Sequence, residues 1–355
     1  MILLKLRRET LRFFLQITSS FPYFFTNKAR RSAKMKWNEL QREEGKLLGV
    51  TYHRPPKNDD IKILDLSQTS GFGETVHPDI LFIQEGFGNK GWKYLMTITP
   101  FPKGIVYFEN PEFMVSHDGL NWDIPEGGSS PLIPAPDDWI GYNSDPSLLY
   151  DNGILYLIYR EVRIEEHQTV INIFMLSSDN GIKWNKPERI VTKTTAPGDE
   201  GFLMSQTLLK RGDRYIMWYV DSIKSGFSIF KIEGRDIFNT ALPQEIHITG
   251  MPENRQPWHI DVVEGDSGKL IMAICVKDKN NKERHAIILA DSEDDGNSWQ
   301  VFGESLEPGD EAFCEKSLYR ASLARGEDGR WRLYYSGCDN DGNWFSAVKN
   351  ISFGT

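Results

Sequence analysis

Cysteine is scarce: the 355 residues hold only Cys275, Cys314 and Cys338, with no Cys-x-x-Cys pair. Neither a disulfide framework nor a cysteine-based zinc site can be read from three such residues, and the sequence names no metal ligand and no cofactor. Long apolar runs are missing too. None reaches the ~18 residues of a membrane-spanning helix. No clear cleavable leader is expected either, because Arg7, Arg8, Glu9 and Arg12 interrupt the apolar stretch it would need and no small-x-small site follows the aromatic cluster at 21–25. There is no basic excess: 41 Lys/Arg face 50 Asp/Glu, for a net charge of −9. Nucleic-acid affinity comes chiefly from cations on phosphate, so nucleic acid is not expected as a partner.

What is present is an ordinary globular composition, 39% hydrophobic and 26% charged, with 12% aromatics that favour strands over long helices. The first 36 residues stand apart, with nine Lys/Arg against one Glu, so that residues 37–355 carry about −17 against the overall −9. Leu3, Leu6, Phe13, Ile17 and Phe21 share one helical face and Lys5, Arg8, Arg12 and Gln16 another. This predicts a basic amphipathic helix within a 1–46 extension, packed on the domain or docked on a membrane surface. A cytoplasmic or membrane-peripheral monomer is the expectation.

From residue 77 the chain repeats. Five segments, from His77, Ser144, Ser205, His259 and Tyr319, each read as a short apolar strand, a Gly/Asp/Asn turn and a second strand rich in aromatic and β-branched residues. Five hairpins imply five four-stranded blades of a β-propeller, all-β, spanning 47–355. The last repeat lacks a strand, and Ile61–Ser67 is an alternating strand without a partner. It is expected to complete the last blade and close the ring.

Three of the hairpins are followed by SHDGLNW (Ser116–Trp122), SSDNGIKW (Ser177–Trp184) and SEDDGNSW (Ser292–Trp299). These resemble the Asp-box of sialidase-like propellers, whose Ser and Asp close a turn on backbone amides while Gly takes positive φ. Asp118, Asp179 and Asp294 or Asp295 are therefore read as turn formers and not as catalysts.

The innermost strand of each blade lines the channel, and its start gathers with the neighbouring loops at one face. This brings Asp79, Asp145, Ser205, His259, Asp261 and Arg320 to a mouth flanked by Glu109, Asn110, Arg160, Glu200, Trp139 and Trp258. Carboxylates, one Arg, one His and indole faces suit a sugar. The architecture, and NSDPSLLYDNGILYLIYR above all, resembles glycoside hydrolase family 43 and its relatives in families 32, 62, 117 and 130. The resemblance implies an inverting glycosidase, with Asp79 as general base and Asp145 as the carboxylate that tunes and orients. The general acid would be Glu200, in a Glu-Gly segment about five residues upstream of its expected register, or Asp261, or Glu315. Glu109, Asn110, Trp139, Arg160, Trp258, His259 and Arg320 would bind substrate. The alternative is a carbohydrate-binding or interaction propeller without catalysis.

Overall fold

A computed structural model describes residues 61–70, 73–104, 106–136, 141–164, 168–195 and 202–353. The expected N-terminal extension, Trp139 and Glu200 lie outside those residues. Five sheets follow one another around a ring. Strand β1 (Ile61–Ile63) belongs to the last of them. The first blade is β2 (Thr75–Phe87), β3 (Trp92–Pro100) and β4 (Glu112–Ser116). The second is β5 (Gly141–Asp151), β6 (Ile154–Ile164), β7 (Thr169–Ser178) and β8 (Glu188–Thr195), and the third is β9 (Met204–Arg211), β10 (Arg214–Ile223), β11 (Gly226–Gly234) and the two-residue β12 (Gln244–Glu245). In the fourth, β13 (His247–Thr249) lies parallel to the outer strand of β14 (Arg255–Glu264), β15 (Leu270–Asp278), β16 (His285–Ser292) and β17 (Ser298–Leu306). The fifth is β18 (Ser317–Arg325), β19 (Trp331–Cys338), β20 (Trp344–Ile351) and β1.

Ring closure is antiparallel, Ile61 to Ile63 against Lys349 to Ala347, and Leu64 N extends it by donating to Ser346 O at 2.9 Å. The paired strand is shorter than the expected 61–67, because Leu66 and Thr69 close a turn instead. The blades are also not uniformly four-stranded. Among the described residues the first has three strands and a single outer bridge, Val115 to Asp123. The chain beyond that bridge carries Pro125, Pro131, Pro134 and Pro136, which have no N–H for a fourth ladder.

Alternation within strands sends one side chain to each neighbouring blade, so the core is five wedges between sheets and not one central mass. Trp218, Ile260, Met272 and Trp299 fill the wedge between blades three and four, and Tyr94, Met96, Tyr334, Leu64 and Leu66 fill the one where the ring closes. The two-residue hairpin between β5 and β6 has Asn152 and Gly153 both at positive φ (49° and 83°), the type I′ geometry that matches strand twist.

The turns at the lower face show how the Ser-x-Asp segments work. Ser116 Oγ accepts from Gly119 N at 2.9 Å, and Asp118 Oδ1 accepts from Leu120 N and Asn121 N at 2.7 and 2.8 Å. These N–H donors, outweighing partial burial, hold the Asp118 carboxyl at about 2. In the other two turns the acceptor is the second residue after the serine: Asn180, bonded by Ile182 N and Lys183 N, and Asp294, bonded by Asn297 N and Ser298 N. Asp179 does not close its turn, which is a correction. Asp295 instead pairs with Arg211 and Arg214.

Candidate active site

At the upper end of the channel each inner strand departs from regular pairing: register shifts fall between Val76 and Asp79, Ser144 and Ser147, Pro257 and His259, and Leu318 and Ala321. His77, Asp145 and Ser205 occupy left-handed backbone there, with φ of 60°, 49° and 53°. Such conformations cost free energy in a non-glycine residue and persist only where the surroundings enforce them. Ser205 Oγ is spent on the Ile260 backbone, but the other two turn His77 and Asp145 toward one point.

That point is a cluster of His77, Asp145 and His259, whose donor atoms all lie within 4.8 Å of one another. His77 Nε2 is 3.4 Å and His259 Nδ1 3.2 Å from the same oxygen, Asp145 Oδ1. All three residues are buried, yet His77 Nε2, both ring nitrogens of His259 and Asp145 Oδ1 lack a well-formed hydrogen bond. Unpaired buried polar atoms are rare and costly. Three such atoms, one from each residue, meeting at one point is what a cation site requires. The other nitrogen of His77, Nδ1, is fixed by Thr99 Oγ1 at 2.9 Å, the supporting contact that orients ligand histidines.

Burial is the largest influence on both imidazoles and lowers their pKa values, as do Arg320 and Arg160, against the opposing pull of Asp145. The rings are therefore neutral, with lone pairs available. Burial alone would raise Asp145, but His77, His259 and Arg160 more than reverse that, and the group is held well below the usual carboxylate range. Arg160 Nη1 stands 3.8 Å from Asp145 Oδ2 and within reach of Tyr142 and Ser144. Two neutral imidazoles and one carboxylate suit zinc and other first-row divalent ions.

Around the cluster, Glu109 is buried and its pKa lies well above the ordinary value, chiefly through desolvation and then the Asp145 charge. Asn110 Oδ1 accepts from Asn143 Nδ2 at 3.2 Å. Tyr319 lies against both histidines, with ring centroids 5.2 Å from His77 and 4.4 Å from His259. Burial holds its phenol pKa well above the ordinary value and keeps it protonated. Trp258 donates its Nε1–H to Tyr319 Oη, while the Lys277 ammonium sits 3.7 Å above the indole and Phe202 and Phe227 meet its edges. One indole face is thus covered by Lys277, and the residue buttresses the cluster.

Asp79 and Asp261 lie one layer deeper. Arg320, wholly buried, bridges to Asp79 Oδ2 at 2.9 Å and to Pro146 O at 2.8 Å. Asp79 Oδ1 accepts from Leu148 N, and Asp261 accepts from Leu323 N and Thr207 Oγ1. Burial and then the Asp261 charge push Asp79 up to about 7, against Arg320, and burial raises Asp261 as well. The folded chain thus holds a proton on Asp79 that the unfolded chain releases near 3.8, so this group's contribution to stability falls as pH rises from about 4 to about 7. Asp79→Asn removes that contribution to the slope. In chelator-treated protein, the variant's denaturant stability relative to wild type should rise over that window by up to about 1.4 kcal/mol per pH unit and level off above it. A difference flat with pH would refute the assignment.

The structure thus brings together Asp145, His259, Arg160 and Glu109, and sets Asp79, Asp261 and Arg320 beneath them. Sequence reasoning missed His77 and Tyr319. His77-Pro78 aligns with Asp145-Pro146 in the repeat, and that shared dipeptide was the available signal.

No protein-family profile matches the chain. A curated protein of Flavonifractor plautii, an A type blood N-acetyl-α-D-galactosamine deacetylase, is 24% identical over 319 residues, covering 76% of this chain. The match takes in 41% of that relative, so the chain spans about two fifths of its length. Among solved structures, an N-acetylgalactosamine deacetylase from F. plautii in complex with blood group B trisaccharide superposes with a TM-score of 0.65 at 20% identity, covering 78% of this chain and 90% of that one. A thermostable family-43 glycoside hydrolase superposes at 0.56 with 14% identity, over 80% and 91% of the two chains. The endo-arabinase of Bacteroides thetaiotaomicron gives 0.56 at 17% identity, over 82% and 98%. At these identities the structural matches establish a fold, and that fold is the five-bladed propeller shared by family-43 glycoside hydrolases and a sugar deacetylase.

Proposed function

We propose that this protein hydrolyses the acetamide of an N-acetylated sugar, releasing acetate and leaving the sugar amine, with a divalent cation held by His77, Asp145 and His259. The observation that carries the reading is the set of unpaired, buried donor atoms converging from three blades. A cation held there supplies Lewis acidity toward the acetamide carbonyl and acidifies water. The chain's own groups do the rest. Neutral His77 and His259 offer lone pairs, and Asp145, held well below the usual carboxylate range, stays ionised. Burial raises the Glu109 pKa well above the ordinary carboxyl value and so favours the protonated form, the form that would give a proton to the nitrogen as the C–N bond breaks. Tyr319, packed on both histidines, limits ring rotation and keeps bulk water from that side.

Two further points favour acyl transfer over glycoside cleavage. An inverting glycosidase needs two carboxylates free to handle a water and a leaving oxygen, whereas Asp79 and Asp261 are committed to Arg320, to backbone amides and to Thr207. The curated relative bears the name of a deacetylase of N-acetylgalactosamine, which makes an N-acetylhexosamine the first substrate to try.

The test follows two products of one substrate. With p-nitrophenyl N-acetyl-α-galactosaminide and its gluco and β counterparts, acetate should appear without nitrophenol, and chelator should stop it. Nitrophenol release that survives chelator would replace this reading with the glycosidase one.

A further inference from the structure

A second feature opens on the same face as the cluster, at the seam between blades three and four. It is a groove of about 270 Å³ between the β10–β11 turn and the start of β14, with Phe227 and Met251 on its apolar side and Ser225, Ser228, Arg255 and Gln256 supplying polar groups. It neighbours the cluster across a short chain of packed rings. Phe227 packs on Trp258 with centroids 5.0 Å apart, and Trp258 lies 5.9 Å from the His259 ring. Pro257, which also lines the groove, is two residues from His259 on β14.

The polar groups are shaped for hydroxyls and not for an anion. Arg255 is mostly buried, and its charge is already met by Glu307 at 3.0 Å and Asp278 at 4.0 Å. With that charge compensated, an added carboxylate or sulfate would face Glu307 and Asp278 across Arg255 and Glu245 on the groove wall, whereas a neutral hydroxyl meets no such repulsion. Lys279, at the rim, donates to Glu253 O. Gly226, at φ 136° in the turn, allows Gln256 to approach, since a Cβ there would run into Gln256 Oε1. An apolar wall opposite a few fixed donors and acceptors is the usual form of a sugar pocket.

We infer that this groove is a second sugar subsite, for a neutral hydroxylated residue linked to the acetamido sugar, so that the substrate is an oligosaccharide laid across blades three and four. The inference rests on the deacetylation reading above for what lies in the first subsite.

The experiment compares p-nitrophenyl N-acetyl-α-galactosaminide with a neutral trisaccharide ending in N-acetyl-α-galactosamine and with the sulfated form of that trisaccharide, using wild type, Gln256→Ala and Ser228→Phe. Wild-type kcat/KM should favour the neutral trisaccharide over the single sugar by about tenfold or more, the worth of one or two well-made hydrogen bonds. Both substitutions should remove that preference while leaving the single-sugar rate within roughly twofold of wild type. Equal rates on the two neutral substrates, substitutions that slow both alike, or a preference for the sulfated form would overturn the subsite. Calorimetric binding separates it from the reaction. If no substrate yields acetate, yet the trisaccharide binds wild type and not Ser228→Phe, the groove stands and the deacetylation reading falls. If the trisaccharide does not bind either, the subsite falls as well.

Discussion

His259→Ala is expected to strip the protein of its divalent cation and to lower acetate release by about a thousandfold or more, with the propeller still folded. Loss of one of three ligands removes a direct bond to the ion, whereas loss of a supporting contact costs only about 10- to 100-fold. The contrast can be measured, because Thr99 Oγ1 fixes His77 Nδ1 at 2.9 Å. Thr99→Val, nearly isosteric, should therefore fall in the smaller range, with metal affinity and activity declining together. Asp145→Asn keeps the shape of the side chain and should resemble His259→Ala. Folding is monitored by the thermal transition, since His259 packs among His77, Trp258 and Tyr319 and its truncation leaves a cavity. If His259→Ala retained metal and turnover within about tenfold of wild type, the cluster would not be the catalytic centre.

The largest effect on stability is expected from Arg320→Leu. Arg320 is fully buried and its guanidinium bridges Asp79 of the first blade and the Pro146 carbonyl of the second, from a strand of the fifth. Removing one partner of a buried ion pair typically costs 3–5 kcal/mol, because the remaining charge has neither water nor a counterion. The cost should depend on pH in a definite sense. Without the guanidinium, Asp79 and Asp261 face each other in a desolvated channel, and both pKa values rise beyond their already raised positions. The variant relieves the repulsion by binding protons, which costs little at pH 5 and progressively more toward pH 8, so the loss should be several kcal/mol at pH 8 and distinctly smaller at pH 5. Denaturant unfolding at the two values measures it. Arg320→Leu within about 1 kcal/mol of wild type at pH 8 would contradict the account of the deeper layer.

The fold was legible because its signal is a repeat: five hairpins with strong turn chemistry specify five blades whatever the side-chain detail. The lack of a fourth strand in the first blade among the described residues was not, because counting strands by analogy with the other repeats overlooked the proline-rich run after Asp123. The site was legible in part. Asp145, His259, Arg160 and Glu109 were placed at the channel mouth by strand order alone. Within β2, attention fell on Asp79, although the dipeptide aligned with Asp145-Pro146 is His77-Pro78. Each inner strand bulges there, so two residues along the strand separate the metal-competent layer from the buried ion-pair layer. Neither the bulges nor the positive φ at His77 and Asp145 has a glycine to announce it. Asn180 was hidden for a related reason: the turn needs an acceptor oxygen two residues after serine, and an amide provides it as well as a carboxylate does.

The most direct test of the central claim is the metal content of the purified full chain, measured by inductively coupled plasma mass spectrometry after equilibration with zinc, manganese and nickel and removal of weakly held ions. The account predicts close to one divalent ion per chain in the wild type, and none in His77→Ala or His259→Ala, both still folded. It further predicts that acetate release is lost with the ion and restored on its return. A wild-type chain that holds no divalent ion yet releases acetate at an undiminished rate in chelator would contradict it.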